Sequence, residues 1–494
     1  MISTRYYALF LSLLLLIPAQ QARAQDEPTD ADATAPGELT VPVAEDDLEA
    51  DVAADDPVLT EEEMLLDEFE RFKELLGSGA LDEADASAKR IIELAISTSG
   101  PRSGEMAKAL TNLAIVQHQS GEYAAAQQNF ESAIEIIEDV EDRLNEALVN
   151  PLKGLAAAQL QTGRPDLAAQ TYQRAVHVTH VNEGPHNLDQ IEILENLAEV
   201  QLRVGELETA RDLQETIFAL NAKRYDANSL EMIPPLMRRA EWQRRAGFIF
   251  DERATYRRVI RIIEDRLGPD SVELTEPLIL LGRSFLLMDT SGATSYQSAS
   301  VSTGETYLKR ALRVAVESPD SSWQGIADAT LALGDFYMQI GNSQRGREAY
   351  RNTWNLLSEQ DIRGEKLERR RAELETIRPL RYNELPEYIG DAQPTGIQEA
   401  DDPIRQGTIT MSYTVTDRGR AEDLKLVEQQ PDAFVELQRN VIREVRRRVF
   451  RPRFEDGEPV ATPGQVLVHT FYYRQSDLDA LEDETAPDTD GEST

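Results

Sequence analysis

The 494-residue sequence has no cysteine. Disulfides, thiolate metal sites, a cysteine nucleophile and a lipid-modified N-terminal cysteine are thereby excluded. Histidine is scarce: there are five, and only His177, His180 and His186 cluster. His177 and His180 stand three apart on an expected helix, but Glu183 is the one carboxylate near enough to support a metal, so they read as surface or groove histidines. There is no Gly-x-Ser-x-Gly, no glycine-rich phosphate loop and no His-Glu-x-x-His, so the recognisable hydrolase, nucleotide and metalloprotease signatures are missing. Carboxylates are too numerous for an acid/base pair to stand out. We therefore expect no enzyme, no catalytic or metal-binding residue, no cofactor and no small-molecule substrate.

Basic side chains are absent from two stretches. Residues 25–68 hold 17 acids and no base, and residues 475–494 hold eight acids and no base. Both are poor in aromatics and cannot bury enough apolar surface to offset chain entropy. We expect an acidic disordered linker over 25–60, with a helix starting near Thr60, and an acidic disordered tail over 475–494. A net charge of −38 argues against nucleic acid as a partner. Long apolar runs are also lacking, save one. Ala8–Ile17, broken only by Ser12, follows Arg5, ends at Pro18 and precedes Ala22-Arg23-Ala24. That is the pattern of an export signal with its cleavage site, and it is about half of the ~20 residues that span a bilayer. Residues 1–24 are read as a signal peptide. Left uncleaved, they would instead be a membrane anchor.

What the sequence does have is a repeat. Gly79, Gly121, Gly163, Gly205 and Gly247 lie 42 residues apart without drift. Around Gly121 stand Leu113-Ala114, Tyr123, Ala126, Phe130 and Ala133. Around Gly163 the matching slots hold Leu155-Ala156, Ala168, Tyr172 and Ala175, and around Gly205 they hold Leu197-Ala198, Leu207 and Ala210. A glycine able to take positive φ lets two antiparallel helices turn tightly, and small residues let them approach. One hairpin cannot bury its own apolar face, so neighbours must stack. Gly100-Pro101, Gly184-Pro185 and Gly268-Pro269 punctuate alternate repeats. Further units centre on Leu281-Gly282, interrupted by Thr290–Thr303, and on Gly341. About seven units are expected over 62–377, closed by a helix Arg363–Ile377. These slots resemble the tetratricopeptide repeat family, in a form longer than its usual period of about 34, like that of kinesin light chains. The resemblance implies a mainly α helical-hairpin solenoid whose first helices line a groove that binds peptides. Asn112 and Asn196, just before Leu-Ala, occupy a slot that in the family hydrogen-bonds a peptide backbone. Arg203 and Arg245 stand on the same face. The alternative is that all four are merely solvated.

After Pro379 the period stops, and 378–403 is read as a linker. Thr408–Val415 alternates with period two, Asp417-Arg418-Gly419 marks a hairpin turn, and Ala421–Glu428 forms a second strand. A helix follows from Ala433 to about Arg448, with Phe434, Leu437, Val441 and Val445 on one face. Gln465–Tyr473 is a third strand. Gly407-x-Ile409, Tyr413-x-Val415, Asp417-x-x-Gly419, the string Val445 to Pro452 and Gly457-x-Pro459-Val460 make 404–474 similar to the TonB C-terminal domain, a small α+β fold. The resemblance implies an exposed edge on the last strand (Val466, Leu467, Val468, His469, Thr470 and Phe471) where a segment of an outer-membrane transporter adds as a further strand. Arg443, Arg446, Arg447 and Arg448, with Arg439, Arg451 and Arg453 nearby, form a basic patch. It is either a contact for acidic partners or a set of solvated helix-end charges. Together these features imply a periplasmic scaffold or adaptor of a TonB-dependent transport system, with envelope proteins or peptides as partners. The alternative is an envelope assembly protein whose C-terminal domain only dimerises or docks.

Overall fold

The computed structural model describes residues 60–286, 297–381, 385, 389 and 402–485. The expected signal peptide, the acidic stretch 25–59, residues 290–296 of the Thr290–Thr303 insertion, most of 382–401 and the tail from 486 lie outside the described residues. Seven helical hairpins follow in chain order: α1 (Glu61–Ser78) with α2 (Leu81–Ser99), α3 (Gly104–Gln119) with α4 (Tyr123–Val140), α5 (Val149–Gln161) with α6 (Pro165–Glu183), α7 (Gln190–Val204) with α8 (Leu207–Arg224), α9 (Ile233–Arg245) with α10 (Ile249–Leu267), α11 (Thr275–Ser284) with α12 (Gln297–Glu317), and α13 (Trp323–Gln339) with α14 (Ser343–Ser358). The chain divides between Arg224 and Tyr225 into two compact units, so four hairpins fall in the first and three in the second.

The local sequence accounts for these elements. Helix α1 starts with a capping box: the Thr60 side chain accepts from the Glu63 amide and the Glu63 carboxylate accepts from the Thr60 amide. Gly121 takes φ 83°. Its N–H donates to His118 O, and the next amide, of Glu122, reaches back to Gln117 O at 2.8 Å. That is the Schellman closure a glycine permits. The slot five residues past Gly79, Gly121, Gly163 and Gly205 is fully buried as Ala84, Ala126, Ala168 and Ala210, which is where the paired helices come closest. A second recurrence escaped the reading of the sequence. Gln117, Gln159 and Gln243 each stand four before a turn glycine and accept from Asn129 Nδ2, Thr171 Oγ1 and Thr255 Oγ1 at 2.7, 2.8 and 2.8 Å. These bonds tie first helix to second across the hairpin.

In the second unit, α15 (Glu365–Glu373) stands where the longer capping helix was expected. The chain then enters strand β1 (Arg378–Arg381), which pairs antiparallel with β4 (Val449–Arg451). Residues 378–381 are therefore part of the C-terminal domain and not of a linker. Pro379 fits because it sits on an edge strand. The main sheet has the order β3-β2-β7, all antiparallel, from β2 (Ile404–Val415), β3 (Ala421–Gln430) and β7 (Thr462–Arg474). Helix α16 (Val435–Arg447) packs Leu437, Val441 and Val445 against Ile409, Met411, Phe471 and Tyr473. A short hairpin joins β5 (Arg453–Glu455) and β6 (Glu458–Val460). The tail was expected to be disordered throughout, but Gln475–Thr485 is helix α17. Leu478 and Leu481 pack it on the sheet's core cluster, and the Ser476 amide and hydroxyl donate to Asp402. No described helix is long and apolar enough to cross a membrane.

Candidate protein-binding surfaces

Among the described residues strand β7 pairs with another strand on one side only. Its register runs Thr410↔Val468 and Gln406↔Tyr472 against β2, and no described strand lies beyond it. The Ile389 N–H donates to Tyr472 O at 2.9 Å from the far side, so that carbonyl points away from β2. Residues two apart along a strand point their backbone groups the same way. Thr470, Val468 and Val466 therefore present N–H and C=O along the open edge. Val466 and Val468 are each 62% exposed, whereas His469 and Phe471 are buried. The six residues expected on this edge are all in β7, but the pleat divides them. His469 and Phe471 serve the core, and Leu467 leans on it. Phe471 also explains Gly407: a Cβ there would lie 2.4 Å from the Phe471 ring.

The residues expected to line the groove separate as well. Asn112 is 2% exposed and its Nδ2 is buried without a partner; Asn196 is 8% exposed. Neither side chain lies open on a surface, which corrects the expectation. Every residue of α3 from Ala109 to Val116 is buried, so this helix is enclosed on all sides and has no solvated stripe there. Arg203 and Arg245 are exposed, and Arg203 Nε lies 3.6 Å from Glu199. Lys153, which the sequence did not single out, is buried and donates to Glu192 at 2.7 Å, linking α5 to α7. His118 stacks edge-on against Tyr123, and burial lowers its pKa.

The basic patch splits too. Arg439, Arg443, Arg446 and Arg447 are exposed along the outer face of α16, but Arg448 is half-buried beside Tyr413. Arg451, only 4% exposed, is not part of any surface. Its Nε and Nη2 donate to the two oxygens of Asp335 on α13 at 2.9 and 2.7 Å, and its Nη1 donates to Glu373 at 2.7 Å. Tyr350 Oη donates to Asp335 at 2.8 Å, and burial holds that hydroxyl well above the usual phenol range. Around this cluster Phe454 packs between Tyr350 and Trp354 and donates its N–H to Leu374 O at 2.7 Å. Arg351 clasps Glu458, and Arg347 reaches Asp417 at 3.0 Å. The C-terminal sheet is thus seated on the last hairpin of its own unit. Among the described residues no group of three His, Asp or Glu is placed to hold a metal ion.

Two family models match parts of the chain. Residues 75–139 match the family "Tetratricopeptide repeat", and residues 398–469 match "Gram-negative bacterial TonB protein C-terminal". No curated protein matches. Among solved structures, BtubC (BKLC) from P. vanneervenii is 19% identical, covering 49% of this chain and 96% of that one, with a TM-score of 0.36. A putative kinesin light chain with nearly identical TPR-like repeats from Podosopora anserina is 15% identical over 41% of this chain and 96% of its own, with a TM-score of 0.38. Pseudomonas aeruginosa pilF is 17% identical over 51% and 92%, with a TM-score of 0.33. This chain carries a tetratricopeptide repeat array followed by a TonB C-terminal domain, two modules that point to protein–protein interaction.

Proposed function

We propose that this protein is an exported periplasmic adaptor of a TonB-dependent transport system. Its C-terminal sheet takes up an extended segment of an outer-membrane transporter, and its repeats hold a second envelope partner. The observation that carries this reading is the open edge of β7. Backbone groups of Val466, Val468 and Thr470 face outward there, in a domain matched to the TonB C-terminal family. Strand addition draws its affinity from main-chain hydrogen bonds and its register from alternate side-chain sites, and the exposed Val466 and Val468 supply those sites. The export signal at 1–24 supports the compartment. With that segment cleaved, the proposed role is recruitment and not force transmission.

Replacing Val468 with proline tests this. Proline removes one outward N–H and leaves the inward ladder to β2 intact. We expect Val468→Pro to lose co-purification with outer-membrane transporters while remaining folded. Retained co-purification contradicts strand addition at β7. Loss of self-association, with no transporter bound by either form, favours the dimerisation reading of the same edge.

A further inference from the structure

Helix α16 turns one face to the core and the other to solvent, and the solvent face is mostly basic, with Glu436 the exposed acid of its first turn. Arg439, Arg443 and Arg446 fall at spacings of four and three, one stripe along the helix. Arg447, beside them, has a carboxylate partner in Glu444 at 2.9 Å. Arg443 donates to the neutral side chain of Asn440. Among the described residues no carboxylate lies within ion-pair distance of Arg439, Arg443 or Arg446. Three like charges on one helical face repel one another, in a protein whose net charge is −38. An anion held over the stripe would relieve that repulsion.

We propose that the anion is the chain's own C-terminal tail, residues 486–494, folded back along α16. Three observations favour this occupant. The tail carries Asp488, Asp490 and Glu492 and no base. It leaves from α17, whose Leu478 and Leu481 pack on the same apolar cluster as Leu437, Val441 and Val445 of α16. Nine residues span up to about 30 Å when extended, more than the roughly 20 Å length of a 13-residue helix. A tethered ligand of this length acts at an effective concentration in the millimolar range. An acidic protein or an anionic membrane surface has no such advantage and must approach a strongly negative chain. The tail would thus screen the stripe from external anions, and an acidic partner that uses α16 would first displace it.

Chemical modification of arginine in the full chain tests this. Phenylglyoxal reaction rates at Arg439, Arg443 and Arg446 are read by mass spectrometry relative to Arg363, whose side chain is 82% exposed. The comparison is between the intact chain, a chain ending at Thr485 and the triple variant Asp488→Asn, Asp490→Asn, Glu492→Gln. Both altered forms should react about threefold or more faster than the intact chain at low salt. The difference should vanish near 0.5 M NaCl, where screening acts within roughly 4 Å. Equal rates in the three proteins overturn the proposal. Protection that disappears on dilution overturns it in favour of a second copy's tail, and protection lost only on removal of residues 25–59 overturns it in favour of the N-terminal acidic stretch.

Discussion

Replacing Arg451 with methionine should open the seam between the C-terminal sheet and the last hairpin. Methionine fills much of the aliphatic volume but removes the charge that neutralises Asp335 and Glu373, both buried. Glu373 keeps Arg378 at 3.0 Å and Arg369 at 3.4 Å, whereas among the described residues Asp335 keeps only the Tyr350 hydroxyl and Arg283 at 3.8 Å. The loss therefore falls mainly on Asp335. Breaking a buried pair by removing one partner costs about 3–5 kcal/mol. A two-unit chain does not unfold as a single two-state system, so amide hydrogen exchange at the seam is the assay. Phe454 N–H bonds to Leu374 O, and Phe450 N–H bonds to Gly419 O at 2.9 Å. Their protection should fall by roughly two orders of magnitude or more, and α1–α8 should be unaffected. Adding Asp335→Asn should recover part of the loss, because the orphaned charge is then gone. If Arg451→Met leaves both amides protected to within about threefold, the ion cluster does not hold the seam.

Two other outcomes follow from single residues. Glu252 occupies the slot that is alanine in four sister hairpins and is 1% exposed, with Oε2 unpartnered. Burial pushes its pKa up to about 7, against the pull of Arg244 and Arg253. The folded state therefore prefers the protonated acid. The destabilisation is absent below the usual 4.5, grows between 4.5 and about 7, and is complete above, where it reaches about 3 kcal/mol at most. Glu252→Gln should accordingly stabilise the second unit in denaturant titrations at alkaline pH and not at acid pH; a gain independent of pH would refute the assignment. Gly407→Ala would place a Cβ 2.4 Å from the Phe471 ring and 2.8 Å from Gln430 O. It should cost about 1–3 kcal/mol and increase exchange at β2 and β7; an unperturbed amide spectrum would contradict that packing.

The repeat was legible because its period and small-residue slots are imposed by helix approach, and those slots are the ones found at zero exposure. The groove was not, because α3 is buried all round and helical periodicity carries no signal when every face is covered. Asn112 therefore looked like its solvated counterpart on an ordinary amphipathic helix. Arg451 was misread for a related reason. The arginine run continues past the end of α16 at Arg447 into β4, where the side-chain period changes from 3.6 to 2. That change turns one residue of an apparently solvated patch inward. The edge strand was legible as a strand, and its alternation separates the exposed Val466 and Val468 from the buried His469 and Phe471. Helix α17 was missed because eight acids outweigh two leucines in any compositional reading, although Leu478 and Leu481 at i and i+3 suffice to dock it.

The most direct test of the account is in-cell photo-crosslinking from position 468, with mass spectrometry of the adducts. The account predicts an adduct with an outer-membrane transporter, through an extended segment lying beside β7. An adduct only with a second copy of this chain, or none while a probe at Arg203 captures a partner, would contradict it and place the function in dimerisation or in the repeats.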